Sequence, residues 1–191
     1  MGKIAIGGLV LGKDPVIKKV QHGSITVDGT SSTDTIDAVV TANSLLMYLG
    51  QTFTGGIGVG ANKVLTRIEL TNTTTVTAYR NTDNPGLDPV VQYCVVEFMP
   101  GIVKSNQTGT ITVAYTSIPD EKTHTATINS VNKDKSFVSH LGFTSDSGYS
   151  TFSSARHVIT NTELTDATTV TITRTGYYTD TTAGYQVIEF Y

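Results

Sequence analysis

Tyr93-Cys94-Val95-Val96-Glu97-Phe98 occurs twice, because Tyr185-Gln186-Val187-Ile188-Glu189-Phe190 repeats its pattern at the end of the sequence. Both copies read as a β-strand that closes a unit. Strand alternation puts Tyr93, Val95 and Glu97 on one face and Cys94, Val96 and Phe98 on the other. Tyr185, Val187 and Glu189 likewise oppose Gln186, Ile188 and Phe190. The Val96/Phe98 face is expected in the core. The opposite face carries a glutamate that both copies keep.

Four further matches lie upstream in the same order. Gly23-Ser24-Ile25-Thr26-Val27 parallels Gly109-Thr110-Ile111-Thr112-Val113, and Thr35-Ile36-Asp37-Ala38-Val39 parallels Thr127-Ile128-Asn129-Ser130-Val131. Ser44-Leu45-Leu46 with Leu49-Gly50 parallels Ser136-Phe137-Val138 with Leu141-Gly142. Leu70-Thr71, Thr74-Thr75-Val76-Thr77 and Arg80 parallel Leu164-Thr165, Thr168-Thr169-Val170-Thr171 and Arg174. In chain order the separations are 86, 92, 92, 94 and 92 residues, drifting only by loop-sized steps. Five collinear matches indicate tandem duplication. The conserved arginine and glutamate of each unit suggest cross-strand framework pairs, Arg80 with Glu97 and Arg174 with Glu189. Each is worth up to about 1 kcal/mol if exposed.

The boundary falls at Met99-Pro100-Gly101, where proline cannot donate to a ladder and glycine ends the run. A strand-like segment resumes at Ile102 without a flexible linker, so the units are expected side by side with restricted motion. The chain has 191 residues, 34 of them threonine, with no tryptophan and 15% charged residues. β-Branched side chains suit a pleated surface. Each unit, at about 90 residues, buries only a modest core. Six strands are predicted near 16–28, 35–41, 44–54, 63–71, 73–82 and 90–98, and six near 102–115, 123–131, 136–144, 155–164, 168–178 and 184–191. Asn72 and Asp166 mark tight turns that tolerate a left-handed conformation. The expected fold is all-β: two tandem antiparallel β-sandwich domains of about six strands each, at 16–100 and 101–191, behind an extended N-terminal arm at 1–15.

Composition excludes several functions. The net charge is −3 and the only basic cluster is Lys18-Lys19 with Lys13 nearby, too little for counterion-driven nucleic-acid binding. Cys94 is the single cysteine, so no intrachain disulfide forms, which suits folding in a reducing cytoplasm. No apolar run reaches 18 residues, so no membrane insertion is expected. The arm carries Ile4, Ile6, Leu9 and Leu11 but lacks a signal-peptide cleavage pattern. It reads as an apolar segment that packs on a partner. Ile57 and Val59, on the glycine-rich stretch 54–63, are further partner-contact candidates. That stretch lacks a phosphate-loop pattern. The histidines (His22, His124, His140, His157) show no metal-ligand spacing, and no serine sits in a nucleophile elbow. No catalytic residue, cofactor or metal is expected.

The run Val103-Lys104-Ser105-Asn106-Gln107-Thr108-Gly109-Thr110-Ile111-Thr112-Val113, followed by Lys135-Ser136, Leu141-Gly142, Leu164-Thr165, Val170-Thr171, Arg174 and Ile188-Glu189-Phe190, resembles a module common in tailed-bacteriophage virion proteins. The strand order also resembles the H-type lectin sandwich, a six-stranded module that usually trimerises. The resemblance spans about 16–191 and rests on framework residues. It implies a non-enzymatic virion structural protein, assembled in the host cytoplasm. The favoured form is a capsid decoration or cement protein that binds capsid or tail subunits and forms a homo-oligomer, a trimer by preference. The alternative it implies is a lectin-like tail or fibre component that binds host-surface glycan, with Tyr149, Phe152, Tyr177 and Tyr178 as aromatic candidates.

Overall fold

Each repeated hexapeptide lies in a strand flanked on both sides by strands of its own repeat. The computed structural model describes residues 4–6, 9–11, 15–53, 60–115, 121–146, 160–175 and 179–191. Its strands are β1 (Ile4–Ile6), β2 (Leu9–Leu11), β3 (Ile17–Thr26), β4 (Ser31–Thr35), β5 (Ser44–Thr52), β6 (Arg67–Asn72), β7 (Thr75–Tyr79) and β8 (Val90–Phe98). They continue as β9 (Val103–Val113), β10 (Glu121–Thr127), β11 (Ser136–Ser145), β12 (Thr160–Asp166), β13 (Thr169–Thr175) and β14 (Thr181–Phe190). A short α-helix, α1 (Ala61–Val64), precedes β6. The protein is all-β, and the strand pairs are antiparallel.

In the first repeat β8 lies between β3 and β5, and β7 lies between β4 and β6. In the second, β14 lies between β9 and β11, and β13 between β10 and β12. One core cluster fills the first repeat, around Ile25, Ile68, Val76, Tyr93 and Val95. An equivalent cluster fills the second, around Ile111, Val170, Ile172, Tyr185 and Val187. The Tyr/Val face of each closing strand is therefore the core face, the reverse of the expectation. The Val96/Phe98 and Ile188/Phe190 face is buried too, in a third cluster between the repeats with Leu45, Met47, Ile102 and Val103. Phe98 and Phe190 meet edge to face there, with centroids 5.3 Å apart, a geometry the ring quadrupole favours. The exchange has a simple cause: both faces of the hexapeptide are apolar, and each finds its own core.

The repeats also share hydrogen bonds. β11 pairs with β6, so β4-β7-β6-β11-β14-β9 form one six-stranded sheet. Met99-Pro100-Gly101, the expected boundary, lies in a turn between β8 and β9, with Gly101 at φ 81°, and one sheet takes strands from both sides of it.

Other differences are local. The second strand of each repeat ends earlier than predicted, at Thr35 and Thr127. The Gln21 amide takes over at that point, donating to Asp37 O at 3.0 Å and accepting from Asp37 N at 2.8 Å. Gln107 does the same to Asn129, at 3.0 and 2.7 Å. Each glutamine imitates a strand, so the ladder is not needed. Among the described residues no non-glycine has positive φ. Asn72 and Asp166 turn the chain through their side chains instead, each accepting from the backbone N–H and hydroxyl two residues on, as Asx-turns do. The N-terminal segment is a hairpin, not an extended arm: β1 pairs with β2, Ile4 opposite Leu11 and Ile6 opposite Leu9.

Gly23 stands opposite Tyr93, and Gly109 opposite Tyr185. In both pairs the tyrosine ring lies across the glycine. A Cβ on Gly109 would come within 2.6 Å of Tyr185 Oη, and one on Gly23 would overlap Tyr93 Oη. The Tyr93 hydroxyl donates to Asp34 Oδ2 at 2.6 Å. Gly23→Ala and Gly109→Ala are expected to destabilise the protein by about 1–3 kcal/mol through overpacking. Tyr93→Phe, which loses only the hydroxyl bond, should cost about 1 kcal/mol. Urea midpoints of the three variants check this ordering.

Candidate functional site

Among the described residues the kept glutamates are the most enclosed acids, each 1% exposed. A buried carboxylate needs donors, and both copies have the same ones. Lys18 Nζ and the Val40 N–H both donate to Glu97 Oε1, at 2.9 and 3.0 Å. Lys104 Nζ and the Asn132 N–H both donate to Glu189 Oε1, at 2.8 and 3.0 Å. Ser105 Oγ adds a bond to Glu189 Oε2 at 3.4 Å. Its counterpart Lys19 turns instead to Asp37, and Glu97 Oε2 is left without a partner. Burial opposes ionisation of Glu97, but Lys18 and the Val40 amide outweigh it and hold the carboxyl below its usual range. For Glu189 the Lys104 bond leads, with the Asn132 amide next, and the direction is the same.

The expected Arg80–Glu97 and Arg174–Glu189 pairs do not form. Arg80 follows β7 at the end of the sandwich where β8 begins, whereas Glu97 lies where β8 ends. Seven residues of strand separate these ends by roughly 23 Å. Arg80 is buried and donates to the carbonyls of Gly29, Lys63 and Leu87 and to Asp83 and Asp88. Arg174 donates to Thr179 O, Thr181 Oγ1 and Ala114 O. Both arginines tie the loop before the closing strand to the loop after the first. Lys18 and Lys104 were the missed partners. They occupy matching positions in the 86-residue register, the one signal that could have found them.

The second polar constellation joins the repeats. Gln186, at the centre of β14, accepts from Leu46 N at 2.8 Å and donates to Ser44 O at 2.8 Å and to Asn106 Oδ1 at 2.9 Å. Asn106 donates to the carbonyls of Thr41 and Ser44, at 2.8 and 2.9 Å. Ser139 donates to Leu46 O at 3.1 Å. Three side chains of the second repeat thus satisfy the outer edge of β5. Beside them lies a cavity of about 280 Å³ lined by Arg67, Glu69, Thr108, Thr110, Gly184 and Gln186, with Leu46, Ile68, Leu70, Gly109 and Leu141. Arg67 pairs with Glu69 at 3.2 Å and lies over the Tyr79 ring, 4.4 Å from its centroid. Cation–π attraction and the carboxylate both fix its guanidinium. Such a lining can hold a small polar ligand by hydrogen bonds.

His140 is half-buried at the same junction. Its Nδ1 accepts from Gly142 N at 3.0 Å, so Nε2 carries the proton and faces Thr160 Oγ1 at 2.9 Å. Burial pushes the imidazole below its usual range. Cys94 is buried, and burial pushes its thiol up. Among the described residues no three His, Cys, Asp or Glu side chains gather to hold a metal, and no helix is long and apolar enough to cross a membrane. Ile4, Ile6, Leu9 and Leu11 sit at the paired positions of the β1–β2 hairpin. Ile57, Val59, His157 and the aromatic candidates Tyr149, Phe152, Tyr177 and Tyr178 lie outside the described residues.

Acid should destabilise this framework in two steps. His140 is harder to protonate in the folded chain than unfolded. Below about pH 6.5 the unfolded state therefore binds the extra proton and stability declines. Glu97 and Glu189 hold their charge to lower pH when folded, so stability falls again below about pH 4.3, as the unfolded carboxyls titrate first. The thermal midpoint should drop through both windows. The lower step should shrink in a Glu97→Gln/Glu189→Gln variant measured against its own value at pH 7. No family model, curated protein or solved structure matches this chain.

Proposed function

We propose that the chain is a non-enzymatic structural protein of a bacteriophage particle, an accessory capsid decoration or cement protein that binds neighbouring virion subunits. The observation that carries this reading is an apolar run that continues from the hairpin onto the body. The β1–β2 hairpin holds Ile4, Ile6, Leu9 and Leu11, and Val16 and Ile17 just beyond it present 52% and 49% of their surface. Exposed apolar side chains such as Val16 and Ile17 mark a contact. A short hairpin with open edges is suited to strand addition on a neighbour. The buried polar groups support the same reading: Glu97, Glu189, Arg80 and Gln186 all spend their bonds on the framework. The bonded seam makes the two repeats one block, which suits a fixed part of a shell.

The seam cavity favours a second reading, a lectin-like tail or fibre component. Arg67, Glu69, Thr108 and Thr110 offer the hydrogen bonds that a sugar's hydroxyls require.

Removing residues 1–14 is expected to leave the thermal midpoint within about 2 °C of the full chain and to abolish co-sedimentation with particles assembled without the protein. Normal incorporation of the truncated chain would overturn the decoration reading. Binding on a glycan array, lost in an Arg67→Ala variant, would favour the second.

A further inference from the structure

The junction between the repeats is made from positions that the duplication supplies twice, and only one set is used inside the chain. On the docking side, Phe143 N–H donates to Thr66 O at 3.0 Å. Gly142, at φ 80°, lies so close to β6 that a Cβ there would overlap Thr66 O and come within 3.1 Å of Arg67 Cα. Leu141 enters the core of the first repeat. Ile102 and Val103 fill the seam cluster, and on the receiving side Leu45 meets them.

The register places Gln51, Gly50 and Leu49 of the first repeat where Phe143, Gly142 and Leu141 stand in the second. Val16 and Ile17 stand for Ile102 and Val103. On the receiving side, Thr160 stands for Thr66 and Phe137 for Leu45. Among the described residues this second set is built but unfilled. Gly50 keeps the glycine-only backbone, at φ 121°, yet nothing lies within 4 Å of a Cβ placed on it. Leu49 is 52% exposed where Leu141 is 4%, and Phe137 is 46% exposed where Leu45 is 9%. β5 and β12 are both terminal in their sheets, as β6 and β11 would be if they did not pair with each other.

We propose that a second copy of this chain fills the vacant set, head to tail. The Leu49–Gln51 edge of β5 in one copy docks on the β12 edge of the next, beside Phe137, and repeats between chains the junction formed within the chain. The occupant is fixed by continuity with that internal junction: the surface complementary to one end of the molecule is present on its other end. The polar clasp is not reproduced, because Cys94, Val20 and Met47 occupy the places of Gln186, Asn106 and Ser139. Exposed Val16, Ile17, Val20 and Leu49 therefore supply the apolar contact of the second junction, while Met47 stays in the internal seam. Such a heterologous contact closes into a ring or grows into a filament. The inference does not depend on the particle reading.

Sedimentation velocity on the full chain tests it. The wild type is expected to form species larger than a monomer as its concentration rises. Leu49→Glu blocks the docking end and Phe137→Glu the receiving end, so each variant alone should be a monomer. Both side chains are exposed, so a thermal midpoint unchanged at low concentration shows that the variants fold. A 1:1 mixture should form dimers, because one intact end of each kind remains. A wild type that stays monomeric, single variants that assemble like the wild type, or a mixture that stays monomeric would each overturn the proposal.

Discussion

Leu46 lies on the terminal strand of its sheet, yet it is 1% exposed. A buried strand edge must find partners for its backbone, because an empty N–H or C=O costs about 1–3 kcal/mol once water is excluded. The second repeat supplies those partners as side chains. Gln186 serves Leu46 N and Ser44 O, Ser139 serves Leu46 O, and Asn106 holds Gln186 in place. The rest of the seam follows from this clasp. It brings β11 against β6, turns the Ile188/Phe190 face toward Leu45, and closes the third apolar cluster. Edge strands invite unwanted pairing, and here the duplicated module covers one edge with its sibling.

Duplication also explains what was kept and what changed. Interior polar arrangements recur: the Lys–Glu–amide site, the glutamine that mimics a strand, the arginine that ties two loops, and the Tyr–Gly contact. Each is costly to leave half-made, so losing one member would strand the other. Outward positions diverged freely. Val20, Cys94 and Met47 of the first repeat stand where Asn106, Gln186 and Ser139 stand in the second, and this difference separates an apolar face from one that can bond an edge. Threonine richness fits the same logic. Thr71 and Thr165 bond the carbonyl and hydroxyl of the neighbouring strand in matching ways, which stabilises cross-strand pairs.

The all-β class and the duplication were legible because both are local: strand alternation and threonine content show within a few residues, and the collinear matches need no contacts. The partners of Glu97 were not. The hexapeptide shows an acid that both copies keep but does not say which cation lies across a sheet. Arg80 was the nearer choice in sequence and stands at the wrong end of the strand. Face assignment failed for a related reason. When both faces of Val91–Phe98 are apolar, alternation cannot say which meets the core of its own repeat and which meets the seam. The seam itself joins residues some 140 positions apart, Leu46 and Gln186, and a glutamine in a strand carries no mark of the backbone it will bond. The hairpin was read as an arm because three-residue strands leave almost no periodic signal.

The central claim is that the clasp and the shared sheet make the two repeats one cooperative unit. Scanning calorimetry of the dilute full chain tests this most directly, since a two-state protein has equal calorimetric and van't Hoff enthalpies. The account predicts one transition with a ratio near one. Two resolved transitions, or a van't Hoff enthalpy near half the calorimetric value, would show that the repeats unfold independently and contradict it.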